Sequence, residues 1–182
     1  MTAAAPQPST LLLYSAPSSG FGDEWMRFLP IGLGYLQAML KGRGFPCRLA
    51  NLSGKGRKAV LAYLRRQAPA VIGVSMFTFN RKRSGELLAW AREACPQAVL
   101  LAGGPHPTHL AEEVFADNPA LDAIVRGEGE PILLGLVERL AAAPGSALWR
   151  RTPGLILRDG ETAPQAVLED LDGIGTPAEH LD

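Results

Sequence analysis

The chain has 182 residues, 47% of them apolar, with 18 basic residues against 18 acidic ones. That length suits one domain with a substantial core, and the balanced charge excludes a global field that would draw nucleic acid or an anionic membrane. No apolar run approaches bilayer-spanning length, the opening MTAAAPQPST lacks the apolar segment of a secretory signal, and the two cysteines fit neither a metal nor a disulfide pattern, which points to a reducing cytoplasm.

Residues 1–9 read as a disordered lead-in. Thr10 to Ser15 (TLLLYS) is the first predicted strand, followed by the loop Ala16 to Phe21. Pro30 opens a helix, since proline fits a first turn. Ile31, Leu33, Leu36, Met39 and Leu40 carry its helical spacing, and Gly42 and Gly44 supply its stop. Phe45 to Asn51 is a second strand, weakened by Pro46, and Lys58 to Gln67 a helix with Val60, Leu61 and Leu64 on one face. Ala70 to Phe77 (AVIGVSMF), rich in β-branched residues, is a third strand, and Ser84 to Ala94 the next helix. The basic clusters Arg81-Lys82-Arg83 and Lys55/Arg57/Lys58 read as solvated helix starts rather than nucleic-acid patches.

Ala98 to Ala102 is a fourth strand, its apolar run suiting burial on both faces of a parallel sheet, and it stops at Gly103-Gly104-Pro105. Two glycines there supply either a tight turn or bare backbone for close approach of a ligand. His109 to Ala116 is a short helix and Leu121 to Val125 a fifth strand, followed by Arg126-Gly127-Glu128-Gly129-Glu130 and a helix from Ile132 to Ala142. Strands alternating with helices predict an α/β fold, a flavodoxin-like (Rossmann-type) doubly wound five-stranded parallel sheet in the order 2-1-3-4-5. After Pro144 the pattern changes to a β-hairpin near residues 154 to 167, around Asp159-Gly160, and an acidic linker. The expected organisation is a lead-in at 1–9, the α/β domain at 10–143, and hairpin plus linker at 144–182.

A ligand site is expected at the carboxyl edge, because the unusual loop chemistry gathers there and the opposite edge has ordinary links such as GRGF and CPQA. Its candidate lining is Pro17 and Ser18 after the first strand, Ser75, Met76, Phe77 and Thr78 after the third, Gly103, Gly104, Pro105 and His106 after the fourth, and Gly127, Glu128 and Gly129 after the fifth. Glycines, hydroxyls and phenyl rings suit a large, flat, mostly neutral ligand. No Gly-x-Gly-x-x-Gly follows the first strand and no Walker lysine exists, so nucleotide binding has little support. Glu128 and Glu130 either pair with a helix dipole or touch the ligand. His106 is either a ligand to a metal or bound molecule, or a loop histidine held in a turn between prolines. Cys95 reads as structural, and no nucleophile or Ser-His-Asp arrangement is placed.

The segments Pro30 to Leu36, Val71 to Ser75, Ala102 to Thr108 and Val125 to Glu130, in that order, resemble the N-terminal cobalamin (B12)-binding domain of B12-dependent radical SAM enzymes, over about residues 10 to 182. The resemblance implies a corrinoid on the carboxyl edge, with its dimethylbenzimidazole tail tucked between the loops after the third and fourth strands, by Ser75 and Gly103-Gly104. It implies cobalamin held base-off and without a histidine on cobalt, because the first loop lacks the Asp-x-His-x-x-Gly of the wider B12-domain pattern; no residue is carried over as a metal ligand. The face of the corrin is expected to meet Pro17, Ser18, Met76, Phe77 and Thr78.

The family's Cys-x-x-x-Cys-x-x-Cys cluster motif is absent, since only Cys47 and Cys95 occur. The chain then cannot assemble that cluster site by itself: it is either a domain of a longer protein, which the linker-like end favours, or a stand-alone relative, and no catalytic residue is assigned. The expected setting is a methyltransferase-type enzyme, with a radical SAM barrel, a [4Fe-4S] cluster and S-adenosylmethionine lying C-terminal to it. A flavodoxin-like module for a flavin or small metabolite, or a nucleotide-sugar-binding domain, are the alternatives.

Overall fold

The computed structural model describes residues 7–16 and 30–164. One sheet runs in the order β2-β1-β3-β4-β5-β6-β7. Its strands are β1 (Thr10–Tyr14), β2 (Cys47–Asn51), β3 (Val71–Ser75), β4 (Val99–Gly103), β5 (Ala123–Val125), β6 (Leu155–Leu157) and β7 (Gly160–Glu161). β1 to β5 pair in parallel, in the expected 2-1-3-4-5 order. β6 joins β5 antiparallel and turns back into β7, so the hairpin widens the same sheet. Its turn residues are Arg158 and Asp159, and Gly160 already belongs to the returning strand, with φ +140. The expected end of the hairpin at 167 and the linker lie outside the described residues.

Alternation along the strands loads both faces with apolar side chains. Leu11, Leu13, Ile72, Val74, Leu100, Ala102 and Ile124 meet Val60, Leu64, Leu87, Leu88, Val114 and Phe115 on one side. Those partners come from α2 (Arg57–Gln67), α3 (Arg81–Ala94) and α5 (Ala111–Asp117). On the other side Leu12, Tyr14, Val71, Val99, Leu101 and Ala123 meet residues of α1 (Ile31–Gly42) and α6 (Gly129–Ala142), among them Leu33, Leu40, Ile132, Leu136 and Val137. Each fully buried leucine, isoleucine or valine contributes roughly 1.5–3 kcal/mol over its exposed state, and continuous apolar strands between two helical layers follow from that drive.

Several boundaries differ from the sequence reading. The second strand starts at Cys47, because Pro46 has no N–H and serves only through its carbonyl, which accepts from Thr10 N–H at 2.8 Å. The third strand ends at Ser75, since the Phe77 N–H turns to the Asn80 side chain. α3 and α6 each start earlier, at Arg81 and Gly129. The helix expected from His109 to Ala116 is two pieces, α4 (Pro105–His109) and α5, broken at Leu110 with φ −128 and ψ 45. Pro105 takes the first helical position, so His106 lies in a helical turn rather than a loop, and His109 ends that turn.

Arg83 is the plainest correction among the charges. Expected in a solvated helix start, it is buried, and its guanidinium donates to Ser15 Oγ (3.1 Å), to Glu86 Oε2 (2.7 Å) and to the Lys55 carbonyl (2.5 Å) while lying over the Trp90 ring. Guanidinium is weakly hydrated and offers a rigid fork of donors, so it tolerates such a place where lysine would not.

Cys47 and Cys95 are both buried and free. Burial pushes the Cys47 thiol up to about 12 against a smaller opposing pull from Lys41, and burial likewise raises Cys95. The thiolate is the reactive form, so at pH 8 a small alkylating reagent is expected to leave both unmodified in the folded chain and to label both in guanidinium. Rapid native labelling of Cys47 would contradict its burial. The folded pKa lies above the unfolded one, so this linkage costs nothing below the ordinary thiol pKa of about 8.5 and removes stability progressively as pH rises from there.

Candidate functional site

Side chains in register across β1, β3 and β4 form the row Leu12, Gly73, Leu101 on the face of α1 and α6. Glycine interrupts an otherwise leucine-rich surface there. A Cβ at Gly73 would come within 2.8 Å of Leu12 Cδ2, so the sheet is bare at a spot already closely approached. Above this row, between the starts of α1 and α6, lies a cavity of about 470 Å³ that opens at the carboxyl edge. Its walls include Leu33 and Leu36 of α1, Val125 at the end of β5, and Leu133 of α6. That volume falls in the range of small-molecule and cofactor sites.

The cavity gathers many of the residues expected from sequence: Ser75, Phe77, Gly103, Gly104, Pro105, Gly127, Glu128 and Gly129. It leaves out Met76, Thr78 and His106. Met76 points into the opposite core, because successive strand side chains alternate faces. His106 is 8% exposed, its N–H meets the Met76 carbonyl at 3.4 Å, and its Nδ1 sits 3.2 Å from Thr78 Oγ1. Burial lowers its pKa, and the positive charge of Arg81 adds to that. This ring braces α4 against the loop after β3. Pro17 and Ser18 lie outside the described residues.

Sequence reasoning missed the floor and the helical wall: Leu12, Gly73, Leu101, and Pro30 to Leu33 at the start of α1. The available signal was a glycine inside an otherwise β-branched strand, which marks close backbone approach. At the mouth Ile31 is 72% exposed, and Phe79 is 45% exposed while stacking on Phe77 with ring centroids 5.3 Å apart. Exposed apolar groups beside a cavity provide a landing surface for a flat apolar partner.

Gly103 and Gly104 do different work. Gly103 is in the strand, and a Cβ there would meet Val125 Cβ at an ordinary 3.7 Å. Gly104 has φ +106 and ψ −179, and a Cβ there would meet the Met76 carbonyl oxygen at 2.8 Å. The first glycine leaves space in the cavity, while the second makes the corner itself possible.

Asn80 ties the edge together. It is 1% exposed; its Oδ1 accepts from Phe77 N–H at 2.7 Å, and its Nδ2 donates to the carbonyls of Ser15 (3.1 Å) and Ser75 (3.4 Å). One side chain thus joins the ends of β1 and β3 to the start of α3. Among the described residues no group of three or more histidine, cysteine or acidic side chains could hold a metal ion, and no helix is long and apolar enough to cross a membrane.

Residues 26–137 match the family model for the B12 binding domain. An anaerobic magnesium-protoporphyrin IX monomethyl ester cyclase from Cereibacter sphaeroides is 33% identical over 115 residues, covering 61% of this chain and 19% of that protein. The cobalamin-dependent radical SAM methyltransferase TokK from Streptomyces tokunonensis is 29% identical over 96 residues, covering 52% of this chain and 14% of that one. The cobalamin-dependent S-adenosylmethionine radical enzyme OxsB, solved with aqua-cobalamin and S-adenosylmethionine bound, superposes with a TM-score of 0.67 at 20% identity, over 88% of this chain and 23% of that one. At that identity the likeness to OxsB concerns the fold. The chain spans less than a quarter of the length of each of these proteins.

Proposed function

The chain belongs to the B12-binding domain family, and from that membership we propose that it seats cobalamin at the carboxyl edge of its sheet, as one domain of a B12-dependent radical SAM enzyme of the methyltransferase type. The observation that carries this reading is the cavity over Gly73, entered beside Ser75 and Gly103. A flat aromatic tail needs an apolar slot with backbone bare of side chains, and these residues supply one.

In this reading the nucleotide tail enters between the loops after β3 and β4, with Ser75, Gly103 and Gly104 along it. The corrin ring lies over Phe77, Pro105, Gly127, Glu128 and Gly129, and extends to Pro17, Ser18 and Thr78. Met76 and His106 support that edge from behind. When bound, the corrinoid supplies a cobalt centre able to carry a methyl group. The chain's own task is to bind, orient and shield it. A barrel carrying the iron–sulfur cluster and S-adenosylmethionine would lie in the remainder of such an enzyme, and a cytoplasmic location suits its oxygen-sensitive chemistry.

Cobalt is held base-off and without a protein histidine. The tail occupies the cavity rather than a position on the metal, His106 is engaged with Thr78, and His109 lines a separate groove, with Leu110 and Arg158 among its other residues. His180 falls outside the described residues.

The test is to mix the protein with hydroxocobalamin or with flavin mononucleotide and follow absorbance through gel filtration. Co-eluting corrinoid bands are expected; retained flavin with no corrinoid would replace this reading by the flavodoxin-like one. On reduction to Co(II), the electron paramagnetic resonance spectrum should lack nitrogen superhyperfine splitting. Splitting that vanishes in His106→Ala would place a histidine on cobalt and refute that part.

A further inference from the structure

We infer that the cavity selects the base of the nucleotide tail, taking a benzimidazole in preference to a purine because its walls are apolar, and that Gly73 leaves the room a base needs. The inference rests on the reading of the cavity as the tail's seat. Its deep surface is made by Leu12, Gly73, Leu101, Leu36 and Val125, and the only side-chain hydroxyl in the described wall belongs to Ser75. Glu128 and Glu130 sit at the start of α6, on the rim.

A dimethylbenzimidazole presents two methyl groups and one free ring nitrogen, and a single hydroxyl satisfies that demand. An adenine brings an exocyclic amine and further ring nitrogens. Against leucine and valine walls those groups lose water and gain no partner, and burial of an unpaired polar group is unfavourable. Gly73 matters because the floor there has no side chain to spare. A Cβ would press on Leu12 Cδ2, so an added side chain both fills the floor and shifts a leucine that is itself a cavity wall.

The experiment titrates the protein with three corrinoids and follows the corrin absorbance: cobalamin, its adenine-bearing analogue, and cobinamide, which has the same ring and no nucleotide. Cobalamin should bind most tightly, with the adenine form weaker by on the order of tenfold or more. Gly73→Ala should weaken cobalamin by at least about tenfold and cobinamide by much less. Leu36→Gln, a half-buried wall position on a helix that tolerates glutamine, should narrow the gap between the two bases by offering the amine a partner. An adenine form that binds as well as cobalamin, or a gap unmoved in Leu36→Gln, overturns the inference while leaving the tail in the cavity. Cobinamide binding as tightly as cobalamin overturns the seat itself.

Discussion

Replacing Gly104 with alanine is expected to destabilise the fold by about 3 kcal/mol and to abolish corrinoid retention. Two independent costs meet at this residue. Its backbone, φ +106 and ψ −179, lies in a region that is essentially glycine-only, where an L side chain costs of order 1–3 kcal/mol. The added Cβ would also sit 2.8 Å from the Met76 carbonyl oxygen, which belongs to backbone and cannot swing away. That oxygen accepts from His106 N–H, and Met76 N–H in turn donates to the Gly103 carbonyl at 2.8 Å, so relief at one point breaks the lacing between the ends of β3 and β4. In a domain of this size about 3 kcal/mol lowers the melting temperature by roughly 10 °C. Gly103 is the control: Gly103→Ala keeps an ordinary strand position and an ordinary Cβ contact with Val125, so its melting temperature should stay near the parent's while corrinoid affinity falls. A Gly104→Ala protein that melts within a degree of the parent would show that the corner has another conformation available.

The contrast between these neighbours shows what a sequence can and cannot express. That Gly103-Gly104 ends a buried strand was legible, because apolar runs and glycines are local signals, and so was the sheet order, because alternating strands and helices leave few chiral solutions. Which glycine gives space and which gives backbone freedom depends on Met76, far away in the chain. Gly73 escaped notice for the same reason: its role appears only when Leu12 and Leu101 stand beside it in register. The sequence around His106 fits both a ligand and a structural residue, because the partner that engages it, Thr78, is brought near by a turn with no strong local signature. Arg83 read as a solvated charge because charge runs usually are, and the acceptors that justify its burial come from two other loops.

Asn80→Ala is expected to be the other costly substitution, and to act on the site as well as the fold. Alanine removes an acceptor for the Phe77 N–H and a donor for the Ser15 and Ser75 carbonyls, in a place that is 1% exposed. Each buried polar group left without a partner costs about 1–3 kcal/mol, so a total near 3 kcal/mol is expected even if the loops relax. The loss also frees two segments at once: Phe77, whose ring stacks on Phe79 at the cavity mouth, and Ser15-Ala16 directly after β1. Corrinoid affinity should therefore fall along with the melting temperature. Asn118→Ala separates the two effects. Asn118 is also buried, but its amide donates to Val114 within the same helical segment, on the opposite side of the sheet from the cavity. That variant should lose stability and keep its corrinoid affinity at temperatures where it is folded. If both asparagine variants weaken binding in proportion to their stability loss, Asn80 contributes only to the fold. If Asn80→Ala alone weakens binding, measured well below its melting temperature, the buried amide holds the two strand ends in the position the corrinoid needs.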